Sequence, residues 1–149
     1  MSIPLKAYHD QIVRGLLSYP RVRLMATDVL GPRSCMAMAA ASLGPQTKIL
    51  VVCATVLKTT WDLELEQVGA VKPQQVLPAT RLDAMIPRLK GVEFDLLIAE
   101  ISTQGTATAK KLGSLIEQSK RCWIRDLSLG NNYGIHELCE THGFTDLPL

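Results

Sequence analysis

The residues best suited to chemistry fall in one short stretch, D-V-L-G-P-R-S-C at residues 28–35. A glycine, a basic residue and a hydroxyl between a strand and a helix suggest a phosphate loop. A working loop reads G-x-x-x-x-G-K-[ST]. Its glycines let backbone N–H groups approach phosphates, its lysine neutralises charge and its hydroxyl holds Mg²⁺. Here Gly31 remains, but no lysine is present and no glycine precedes it, and Pro32 removes an N–H donor.

Other candidates are weaker. The four cysteines, Cys35, Cys53, Cys122 and Cys139, form no C-x-x-C pair and read as buried reduced thiols. The three histidines are scattered, and His136 and His142 are spaced i,i+6, which is poor for a shared metal. No metal or other cofactor is expected. Asp95 falls at the start of its apolar run, the wrong end for a site. Asp28 and Asp126 both fall at the far end of such runs, but no nucleophile accompanies them. Lys58, Lys110, Lys111, Lys120 and Arg121 are candidate nucleic-acid contacts; a solvated helix face is the blander account. Trp61 reads as a packing residue.

The elements that position these residues alternate regularly. Residues 22–27 (VRLMAT), 49–54 (ILVVCA), 75–78, 94–100 (FDLLIAE) and 121–127 (RCWIRDL) read as strands, apolar on both faces where they are strongest. Between them, residues 35–43, 56–68, 81–89 and 106–118 read as helices. Another helix precedes residue 18, starting near Tyr8, and the last covers 135–142. Continuous apolar strands separated by helices predict a mainly parallel sheet covered on both faces. The expected fold is therefore α/β, a three-layer sandwich in one domain over residues 1–149. Ligands of such sheets sit beyond the carboxyl ends of the strands. That edge is where residues 28–34 and 101–105 fall.

Composition supports a globular domain. Of 149 residues, 47% are hydrophobic, and the net charge of +2 is too mild to establish a nucleic-acid partner by itself. No apolar run approaches the roughly 20 residues of a membrane helix, and no secretory signal is evident, so a cytoplasmic location without membrane contact is expected.

Several segments, in order and spacing, resemble the first RecA-like lobe of a Swi/Snf-type DNA translocase, within the superfamily-two helicases. LKAYHDQIVRGLL (residues 5–17) is similar to the family's L-x-P-Y-Q segment, with His9 in place of the adenine-reading glutamine. ATDVLGPRSC (26–35) resembles A-D-E-M-G-L-G-K-T: Arg33 replaces a glycine, Ser34 the lysine and Cys35 the threonine. KILVVCATVLKTTWDLEL (48–65) resembles a strand followed by P-x-x-L-x-x-x-W-x-x-E, keeping Trp61 and Glu64. FDLLIAEIST (94–103) resembles the Walker B strand ending D-E-A-H, which puts Glu100 at the metal-binding aspartate and Ile101 at the catalytic glutamate. RCWIRDLSLGNN (121–132) resembles the segment ending T-G-T-P-I-Q-N-N, keeping only Asn131 and Asn132.

The resemblance implies a P-loop-type fold whose hydrolytic residues are replaced. Ser34 cannot neutralise phosphate charge, Cys35 is a poor ligand for a hard cation and Ile101 cannot orient water. It also implies a second lobe donating arginine fingers, which 149 residues are not expected to hold beside the first. The expected function is a catalytically inactive, helicase-like binding or regulatory protein. Its expected partner is a DNA-replication, repair or motor protein. Alternatives are a DNA-binding accessory protein, one chain of a split helicase, and an enzyme of unrecognised chemistry. A second copy of the chain is a further candidate partner, through the face where another lobe would pack. A small lobe of this kind suits a phage or other mobile element.

Overall fold

A computed structural model describes residues 5–25, 32–69, 75–102 and 106–147. In chain order the elements are α1 (Leu5–Ser18), β1 (Arg21–Leu24), α2 (Pro32–Ser42) and β2 (Ile49–Cys53). A 3₁₀ turn (Thr55–Leu57) leads into α3 (Lys58–Gln67), followed by β3 (Gln75–Pro78). A second 3₁₀ turn (Ala79–Arg81) leads into α4 (Leu82–Leu89). The chain continues through β4 (Phe94–Ile101), α5 (Thr106–Lys111), α6 (Gly113–Glu117), β5 (Ser119–Asp126), α7 (Tyr133–His142) and β6 (Thr145–Leu147).

The strands form one six-stranded sheet in the order β3-β2-β4-β5-β1-β6. All its pairings are parallel, with register pairs such as Val51↔Ile98, Ile98↔Trp123 and Val22↔Trp123. The apolar composition of the central strands explains this arrangement. Ile49, Leu50, Val51, Val52 and Cys53 are all buried, because successive side chains point to opposite faces and both faces are covered. On one face, Ile49, Val51, Leu96, Ile98 and Trp123 pack against Ile12 and Leu16 of α1, the alanine-rich α2 and Trp61 and Leu65 of α3. On the other, Leu50, Val52, Leu97, Ala99 and Ile124 pack against α4, α5, α6 and α7. The result is the expected three-layer α/β sandwich, RecA-like in form.

Most of α2 is alanine, methionine or cysteine, and its Cys35, Met36, Ala37, Ala39 and Ala40 are buried. Proline opens α2 at its first position, where its missing N–H has no helical partner to lose. Asn132 caps α7 by accepting from Ile135 N, and Gly143 ends it in the left-handed conformation at φ 69°.

Several element bounds differ from the sequence reading. The expected helix over 106–118 breaks at Leu112 into α5 and α6, beside Gly113, a poor helix former. The helix expected from residue 56 starts as a 3₁₀ turn and becomes α-helical at Lys58. The strand expected over 121–127 runs from Ser119 to Asp126. Strand β6 escaped the sequence reading altogether. It has three residues, too few to show periodicity, and forms by pairing with the edge of β1.

Candidate functional site

The carboxyl ends of β4, β5 and β1 carry two clusters of buried charge, one on each side of the sheet. Glu100, the penultimate residue of β4, faces α2 and α3, and its side chain is 0% exposed. Arg33, in the first turn of α2, reaches it through Nη2 to Oε1 at 2.6 Å and Nε to Oε2 at 3.1 Å. The Trp61 indole N–H donates to the same Oε2 at 3.0 Å. Arg125, fully buried on β5 and paired in register with Glu100, brings Nη1 to 3.5 Å of Oε2. The Arg33 guanidinium also lies 5.9 Å from the Trp61 ring centroid, within cation–π range. The neighbouring Ser34 hydroxyl donates to Glu64 of α3 at 3.0 Å.

The two-point Arg33 contact is the strong form of a guanidinium–carboxylate bond. A bare buried carboxylate would be heavily penalised, so its partners are part of what lets Glu100 stay inside.

On the opposite face, Asp126 ends β5 with its side chain fully buried. Arg23 of β1 donates to its Oδ2 from Nη2 at 2.7 Å and from Nε at 3.2 Å. The Ser128 backbone N–H donates to Oδ1 at 2.9 Å, and the Ser128 hydroxyl reaches the same oxygen. The Gly130 N–H reaches Oδ2 at 3.2 Å. Asn132 Nδ2 then donates to the Ser102 carbonyl at 2.9 Å, tying the loop after β5 to the end of β4. Leu129 sits within this loop at φ 54°, a left-handed conformation uncommon for a branched apolar residue.

The structure brings Arg33, Ser34 and Glu100 together at one edge, joined by Trp61 and Arg125. Asp28 and Gly31 lie outside the described residues. Cys35 is buried, and burial together with the nearby Asp10 charge pushes its thiol up to about 11. Burial, with Glu100 adding to it, pushes Cys53 up to about 12. Ile101 is buried in the apolar layer under α4–α7 and faces away from Glu100. His9 is half-buried on α1, beside Tyr8.

The basic candidates are not gathered on one surface. Lys58 pairs with Asp62 on α3, and Lys111 pairs with Asp83 across to α4. Lys110 is exposed on α5. Lys120 and Arg121 open β5, at the amino edge of the sheet. There Lys120 pairs with Asp95 at 3.2 Å and Arg121 donates to the Leu17 carbonyl at 3.2 Å. A cleft of about 450 Å³ at that edge is lined by Asp95, Lys120, Arg121 and the turn at 43–47, away from the carboxyl-edge clusters. Asp95 itself is held below the usual carboxylate range, first by the Lys48 backbone N–H and then by Lys120.

Sequence reasoning singled out Arg33 and Glu100 separately but missed Arg125 and Arg23. Each arginine interrupts a buried strand, and that interruption is the signal that would have marked them. Among the described residues no His, Cys, Asp and Glu group is arranged to hold a metal ion, and no helix is long and apolar enough to cross a membrane.

Fold and site together define a RecA-like α/β sandwich whose carboxyl-edge acids are neutralised by its own arginines. The chain matches no protein-family model and no curated protein.

Proposed function

We propose that this chain is a non-hydrolysing RecA-like lobe that acts by binding a protein partner, as a recognition or regulatory module for a DNA-replication, repair or motor protein. The observation that supports this most is the two-point bond between Arg33 and Glu100. Phosphoryl transfer needs a free acid for the metal, a cation at the phosphates and an oriented water. Here the acid already carries an arginine. Ser34 has no charge to offer, Cys35 is a buried neutral thiol, and Ile101 is an apolar residue facing the opposite layer. The sheet and helices beneath these positions are nevertheless well packed.

The test has two arms. Titration of the purified chain with a fluorescent ATP analogue and Mg²⁺ should show no saturable binding at micromolar concentrations, and phosphate release should stay at the buffer rate. Crosslinking and affinity capture in the native proteome should return a specific partner. Micromolar Mg²⁺–ATP binding with turnover, or repeated capture with no specific partner, would sink the reading.

A further inference from the structure

We infer that the Arg33 side chain is the resident occupant of a cation site centred on Glu100, an internal strap that shuts the carboxyl edge of the sheet. This deepens the reading above, because it makes the loss of a metal position an active closure and not only a missing ligand. The resemblance puts Glu100 where a metal-binding acid would stand, and the residues present do not fit a divalent cation. Arg33 takes Oε1 at 2.6 Å and shares Oε2 with the Trp61 indole N–H. Arg125 stands 3.5 Å from Oε2 on the sheet side, so an incoming cation would meet a fixed positive charge there. The Arg33 side chain is 13% exposed, whereas that of Glu100 is fully buried.

The strap is well anchored. Pro32 fixes the backbone immediately before Arg33. The next residue, Ser34, is bonded to Glu64, so two consecutive residues of α2 are tied to the elements around the site. A tethered cation competes with free ions at a high effective concentration, which keeps the site closed in ordinary salt. Removing the guanidinium should therefore leave a vacancy that accepts a free cation of the same shape.

The experiment compares the unaltered protein with R33A, R33M and the R33A/E100Q double variant, each checked for folding by circular dichroism. The probe is methylguanidinium chloride at millimolar concentration, with tetramethylammonium chloride as the ionic-strength control and Mn²⁺ in a parallel series. The expected result is a saturable rise in the R33A melting midpoint, roughly 3–6 °C at ten times the dissociation constant. A change in tryptophan fluorescence should accompany it. The unaltered protein and R33A/E100Q should not respond, and Mn²⁺ should act more weakly because Arg125 remains. The strap is overturned if folded R33A or R33M responds to methylguanidinium no more than the unaltered protein does.

Should neither Arg33 variant fold, E100Q decides the matter. With the charge-assisted bond to Glu100 weakened, trypsin should cut after Arg33 faster than in the unaltered protein, and an unchanged rate overturns the strap. Failure of the protein-binding reading is separate: it would appear as Mg²⁺–ATP binding or turnover by the unaltered protein.

Discussion

Arg33 and Glu100, 67 positions apart in the chain, meet at 2.6 and 3.1 Å and join the first turn of α2 to the end of β4. Arg125 lies 3.5 Å from the same carboxylate, so removal of Glu100 takes a buried counter-charge from two arginines at once. E100A should therefore lower stability by about 3–5 kcal/mol, the usual penalty for breaking a buried pair. R33A should lower it by less, since water reaches the Arg33 side of the pair. Urea unfolding of the two variants checks the order, and an R33A loss larger than that of E100A would contradict it.

Asp126 holds the loop after β5 through Arg23, Ser128 and Gly130. D126A should also lose about 3–5 kcal/mol, with faster hydrogen exchange at the Ser128 and Gly130 amides. Leu129 behaves differently, being exposed at φ 54°. An L-residue there costs about 1–2 kcal/mol, while glycine's extra chain entropy costs roughly 0.5–1. L129G should therefore stabilise the protein by up to about 1 kcal/mol in the same measurement.

Gly15 of α1 packs under Leu147 of β6. A Cβ at Gly15 would stand 2.8 Å from Leu147 Cδ2 and 3.1 Å from Cγ, and would crowd Cδ1 as well. G15A gains about 1 kcal/mol in helix propensity but incurs an overpacking loss of roughly 1–3. The expected net effect is destabilising by about 1 kcal/mol. In an L147A background the clash is gone and the same change should stabilise. A double-mutant cycle that shows no sign reversal would remove Leu147 as the cause.

Burial raises all four cysteine thiols above their ordinary value of 9.0, Cys35 to about 11 and Cys53 and Cys139 to about 12. At pH 8 the native protein should react with Ellman's reagent only as fast as it opens, and all four thiols should react at once in urea. Between pH 9 and about 11–12 the unfolded chain has lost thiol protons that the folded chain retains. The thiol contribution to stability is thus whole below pH 9 and is lost as pH rises through that window. Asp95 acts at the acid end, because its lowered pKa adds stability above the unfolded value that disappears as pH falls. An alkaline melting series in which midpoints hold steady past pH 11 would contradict the thiol assignment.

Much of the fold was legible in the sequence because parallel strands buried on both faces advertise themselves as unbroken apolar runs. ILVVC and FDLLIAE name their strands whatever surrounds them. Gly44 and Pro45 after α2 are an equally local stop signal, whereas the helix begins at Pro32, ahead of the expected start at Cys35. The places where this failed were those without local signal: three-residue β6, which needs the edge of β1, and the break at Leu112.

The site divides in the same way. The sequence alone determined that lysine is absent from the phosphate loop, that Ile101 stands after Glu100, and that Arg33 and Glu100 each carry charge beside apolar segments. Only the tertiary structure decided that those charges answer one another. Strand order places β5 beside both β4 and β1, register sets Arg125 against Glu100, and residue alternation turns Asp126 to the other face to meet Arg23. Sequence spacing carries no information about such partners, because ion pairing depends on distances that only sheet pairing and helix packing create.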